Sequence, residues 1–140
     1  MFPFTYTFER EIVKDKTSDE VIYTVRDLLR EKKVQNILYG PGFVSFDEGF
    51  PRARSNSDYL SLIDDGVFIY NENTKILTYK VRLWKLHLFA LVFFIITMIY
   101  FEGFFGKLLP VFGLVINHLF SYFGSQGLIE EIAHKLNYLS

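Results

Sequence analysis

At 140 residues the chain is long enough for one domain and little more. Half of it is hydrophobic and 19% aromatic, with a net charge of −1, so it lacks the basic surplus that marks a nucleic-acid binder. It has no cysteine, which excludes disulfides and thiolate metal sites and fits a reducing compartment.

The first residues, Met1 to Thr7, show neither a basic n-region nor an apolar h-region, so no signal peptide is expected. Phe4, Tyr6 and Phe8 alternate with Thr5, Thr7 and Glu9. That period of two predicts a strand with one aromatic face, and the face reads as core. Thr17-Ser18-Asp19-Glu20 then reads as a capping box. Val21, Ile22, Val25, Leu28 and Leu29 follow on one face of a helix running to about Lys33, where lysines suit the negative pole of the helix dipole.

Val34 to Tyr39 and Phe43 to Phe46 are short strand candidates around Gly40-Pro41-Gly42. A strand rather than a helix follows these glycines, so they read as a hairpin turn and not as a phosphate cradle. Phe50 to Ser57 reads as loop, and Tyr59 to Ile63 as one helical turn or a short edge strand. The acidic pairs Asp47-Glu48 and Asp64-Asp65 adjoin glycines and read as solvated turn carboxylates. Val67 to Tyr70 and Lys75 to Leu83 form the clearest hairpin, with Leu77, Tyr79 and Val81 on one face and Thr78, Lys80 and Arg82 on the other.

Leu86 to Phe101 and Leu108 to Ile129 contain no Asp, Glu, Lys or Arg. The first run spans roughly 24 Å as a helix at about 1.5 Å per residue. Leu83 and Trp84, with Lys85 snorkelling, bring it close to the ~30 Å hydrocarbon layer. The second run is long enough unaided. The expectation is a two-helix transmembrane hairpin, with spans at about 83–101 and 108–124. Lys75, Lys80, Arg82 and Lys85 flank the first span on its N-terminal side, while Glu102 to Lys107 carries one acid and one base. The positive-inside rule then puts both termini in the cytoplasm of a bacterial-type inner (plasma) membrane, as a multi-pass protein. Gly124-Ser125-Gln126-Gly127 is expected to end the second span. Leu128, Ile129, Ile132, Leu136 and Leu139 share one face of the amphipathic segment 125–140. This segment should pack on the soluble domain, completing a core too small to be robust alone, the alternative being that it lies on the membrane surface.

The fold class expected is therefore α+β. A soluble cytoplasmic domain, 1–82, holds an antiparallel sheet of about five strands with one or two helices; a hairpin, 83–124, and a C-terminal helix follow. His87, His118 and His134 form no H-x-x-x-H or H-E-x-x-H pattern, and neither a G-x-S-x-G nor a Walker loop occurs. No enzyme activity, metal or cofactor is expected. His87, Asn117 and His118 are polar at membrane depth. They read either as contacts within the hairpin or with a partner, or as a proton or ion relay. Arg52, Arg54, Lys80, Arg82 and Lys85 are candidate contacts to an anion or lipid head group. Three functions fit: a non-enzymatic accessory or regulatory subunit of a larger membrane complex, a membrane-tethered module binding a lipid or other apolar ligand, and a small membrane-disrupting effector. The expected partners are membrane lipid and either another protein or further copies of the chain, and not nucleic acid.

Overall fold

The computed structural model describes residues 4–47 and 59–139. The chain is α+β, with a five-stranded antiparallel sheet and three helices among the described residues. Strand β1 (Thr5–Glu11) precedes helix α1 (Ser18–Glu31), which leads to β2 (Ile37–Gly40) and β3 (Phe43–Asp47). A 3-10 turn at Tyr59–Leu62 then leads into β4 (Asp65–Asn71) and β5 (Ile76–Arg82). Helices α2 (Trp84–Tyr100) and α3 (Phe104–His134) follow, and α3 runs on into a π-helical turn at Lys135–Leu139. The sheet order is β1-β5-β4-β3-β2, so the first strand closes one edge beside the last.

Local chemistry sets these elements. Thr17 caps α1: its hydroxyl accepts from the Glu20 amide at 3.3 Å, and the Glu20 carboxylate accepts from the Thr17 amide at 2.9 Å. Gly42 adopts φ 76°, the positive value that the second central residue of a Pro-Gly turn requires. At the β4–β5 turn the Asn71 side chain accepts from the amides of Asn73 and Thr74 at 3.0 and 3.3 Å.

One face of the sheet forms the core, carrying Tyr6, Phe8, Val44, Phe46, Phe68, Leu77, Tyr79 and Val81. The aromatic rings fill the space themselves, with Phe68 stacked on Tyr79 at 4.0 Å between centroids. Gly66 permits this, because a Cβ there would stand 2.5 Å from the Phe46 ring and 2.9 Å from that of Tyr79. Helix α1 covers the face with Val21, Ile22, Val25, Leu28 and Leu29.

The C-terminal half of α3 provides the other cover. Leu128, Ile129, Ile132 and Leu136 are buried in the same core. Charges hold it on both sides: Glu130 pairs with Arg10 of β1 at 2.7 Å, and Glu131 with Lys32 beyond α1 at 2.8 Å. Asn137 accepts from the Val13 amide at 2.8 Å.

One expectation requires correction, and one is met only in part. The helix does not break at Gly124 to Gly127; α3 is continuous from Phe104 to His134. A glycine in a helix costs only about 1 kcal/mol relative to alanine, and tertiary burial of the flanking turns outweighs it. Ser121 and Ser125 are fully buried, and their small side chains let α3 pass close to its neighbours. Secondly, among the described residues only one helix, running from Phe104 through Leu139, is long and apolar enough to cross a membrane by length and composition. The other apolar helix, α2, is shorter, at 17 residues, because the extended Phe101 and Gly103 end it early.

Candidate functional site

Helices α2 and α3 pack as an antiparallel pair that meets the sheet at the start of α2. The Leu83 amide donates to the Phe4 carbonyl at 2.9 Å, which ties the entry of α2 to the edge strand. No side chain at the N-cap position itself serves the free amides of α2. Asp64 does so from a distance: its Oδ2 accepts from the Lys85 amide at 3.0 Å. The Asp64 side chain is thus not a solvated turn carboxylate; the residue is 2% exposed. Burial raises its carboxyl above the ordinary value, against the opposing pull of the Lys85 and Trp84 amides and the Lys85 ammonium. Lys85 Nζ lies 3.7 Å from Asp64 Oδ1.

A polar chain crosses the same junction. The His87 and His118 rings meet through their Nε2 atoms at 2.9 Å. His87 Nδ1 lies 2.9 Å from the Leu83 carbonyl oxygen, and His118 Nδ1 bonds the hydroxyl of Tyr6. The partners fix the proton positions in the neutral state. A carbonyl only accepts, so His87 carries its proton on Nδ1 and accepts at Nε2. His118 therefore donates from Nε2 and accepts at Nδ1, where the Tyr6 hydroxyl donates. Burial, with Tyr122 adding to it, raises the Tyr6 phenol above its ordinary value and keeps it protonated for this role. Phe4 packs on the His87 ring at 4.4 Å, and Tyr122, one turn beyond His118, meets Tyr6 edge-on at 5.3 Å.

His87 and His118, expected at similar depth, are thus brought together. Asn117 points elsewhere and lines a groove between α2 and α3. The basic candidates are not gathered into one site. Arg82 is held by Asp65 through two contacts, Nε–Oδ1 at 2.7 Å and Nη2–Oδ2 at 2.6 Å. Lys80 is exposed on the open sheet face, beside Val67 and Thr7 in the register. Arg52 and Arg54 lie outside the described residues. Among the described residues no three His, Asp or Glu side chains converge as a metal site would require.

Tyr6 is the member of the junction that sequence reasoning placed only in the core. The available signal was its hydroxyl: a tyrosine on an otherwise phenylalanine face needs a polar partner when buried.

Fold and junction together define an α+β domain continuous with an apolar helical pair. Comparison with protein-family models, curated proteins and solved structures yields no match for this chain.

Proposed function

We propose that the chain is a non-enzymatic accessory subunit of a larger membrane complex. Helix α2 and the N-terminal half of α3 cross the inner (plasma) membrane as a hairpin, and the sheet domain and C-terminus lie in the cytoplasm. The observation that carries this reading is the division of α3. Up to Phe123 its large apolar side chains, among them Phe112, Ile116 and Leu119, stand exposed in the folded chain; from Ser125 onward they are core. Only 11% of its most apolar stretch is buried, which disfavours a soluble core helix. A continuous exposed apolar surface of this kind needs lipid or a partner. Helix α2 adds Leu91, Val92, Phe93 and Ile96 to that surface, and 17 residues lie at the lower end of the about 17–25 that span a bilayer. The basic residues before α2 support a cytoplasmic domain.

Two further features favour an accessory role. The aromatic strand faces are occupied by one another rather than lining a ligand cavity. His118 is engaged by His87 and Tyr6, which argues against a pore-lining role. Because α3 is unbroken, a shift of the helix in the membrane would be felt directly in the core of the domain.

Affinity purification of the tagged chain from carbonate-washed membranes, in mild detergent, tests the proposal. The chain should remain in the membrane pellet and elute with a stoichiometric membrane-protein companion. Release by carbonate, or elution of the chain with no companion, overturns it.

A further inference from the structure

The bonds that close the junction can take up one proton but not two. In the neutral state the Tyr6 hydroxyl donates to His118 Nδ1, His118 donates from Nε2 to His87 Nε2 at 2.9 Å, and His87 donates from Nδ1 to the Leu83 carbonyl. A phenol accepts as well as donates, whereas a carbonyl only accepts. One added proton therefore enters at His118 Nδ1. The Tyr6 hydroxyl turns to accept it, and the other two bonds stay as they are. A second proton has only His87 Nε2 left to occupy. That sets two N–H donors against each other at 2.9 Å, on two cationic rings whose centroids are 4.7 Å apart.

The surroundings offer no relief. Strand β1 contributes Tyr6 and the Phe4 ring over His87, and α3 contributes Tyr122. Neither histidine bonds a carboxylate among the described residues. Lys85, two residues before His87 on α2, pairs with Asp64 at 3.7 Å, so that carboxylate is already engaged. Both rings are half-buried, which leaves them within reach of solvent protons.

We propose that the His87–His118 pair is a two-proton latch: it holds α2, α3 and β1 together with no added proton or with one, and parts when both rings are charged. Charging of histidines at a packed contact is a general way to open it. The two protons enter in separate steps that belong to the pair rather than to either ring. Because α3 runs unbroken from His118 into the core, parting the pair loosens the helix that carries Leu128 and Ile132. The latch stands on the junction's geometry and is independent of the membrane reading.

The chain has three histidines and a single tryptophan, Trp84, which opens α2 three residues before His87. Full-length protein labelled with nitrogen-15 at histidine alone, in mild detergent, therefore gives a simple magnetic-resonance spectrum. Coupling between the two Nε2 nitrogens through the bonding proton is expected at neutral pH and after the first proton is taken up. It should be lost as the second enters, together with a step in Trp84 fluorescence. His87→Gln and His118→Gln should each abolish that acid step, because a glutamine takes up no proton and leaves no pair to charge twice; His134→Gln should retain it. Absence of coupling in the parent chain at neutral pH, or coupling that survives protonation of both rings, overturns the latch. So does an acid step that only one of the two pair substitutions removes.

Discussion

Truncating Ile132 to alanine tests whether the end of α3 is part of the domain's core. The side chain is fully buried, together with Leu128, Ile129 and Leu136 on the same helical face. Ile→Ala removes three carbon atoms from a packed site, and such losses cost about 2–5 kcal/mol, with the upper end where the cavity cannot collapse. Here the site lies between a helix and a sheet whose strands are fixed by their ladders, so little collapse is expected. The domain as a whole is expected to hold about 5–15 kcal/mol. At roughly 4–8 °C per kcal/mol for a domain of this size, the melting temperature should fall by at least about 8 °C. Thermal unfolding in mild detergent, followed by near-ultraviolet circular dichroism, reads this directly. Glu131→Ala is the control: its pair with Lys32 is half exposed, and such pairs are worth about 0–1 kcal/mol. If Ile132→Ala costs no more than Glu131→Ala, the helix end is not core and the reasoning fails.

Tyr6→Phe should destabilise the junction by about 1–3 kcal/mol, because it leaves His118 Nδ1 without its donor; denaturant titration of the variant measures the loss. Asp64→Ala should cost about 1–2 kcal/mol through loss of the α2 cap, seen in the same titration. Asp64 also sets a pH trend. Burial raises its carboxyl in the folded state, so the fold holds this proton more tightly than the unfolded chain does. The contribution is favourable below the unfolded carboxyl value and is lost as pH rises through the folded one. Asp64→Asn should remove that slope from stability measured against pH. Gly66→Ala should cost about 1–3 kcal/mol, since the new methyl meets the Phe46 and Tyr79 rings; a melting temperature equal to the parent's would contradict the close packing.

Where the pattern is local, the sequence carried the fold well. The capping box at Thr17, the Pro-Gly turn and the alternation of Leu77, Tyr79 and Val81 each depend on neighbours in the chain, and all three appear as expected. The continuity of α3 was not legible. Gly124 and Gly127 favour a break locally, and only the burial of Ser121, Ser125 and Leu128 against distant elements overrides them. Asp64 misled for the same reason: a carboxylate beside a glycine turn looks solvated until a helix twenty residues along the chain places its N-terminus over it. That His87 and His118 lie near one another was legible, because antiparallel packing of α2 on α3 sets the start of one beside the later turns of the other; their direct contact was not. The Tyr6 hydroxyl was not, because its partner lies on another element and the register between them comes only from tertiary packing.

The central claim is that the apolar helices cross the membrane while the sheet domain stays inside. Single cysteines at Glu102, in the α2–α3 connector, and at Asn73, in the β4–β5 turn, test it with a membrane-impermeant thiol reagent on intact expressing cells. Both positions are exposed, and the parent chain has no cysteine to interfere. Glu102→Cys should label from outside, and Asn73→Cys only after the cells are permeabilised. Labelling of Asn73→Cys in intact cells, or protection of Glu102→Cys until permeabilisation, would contradict the account.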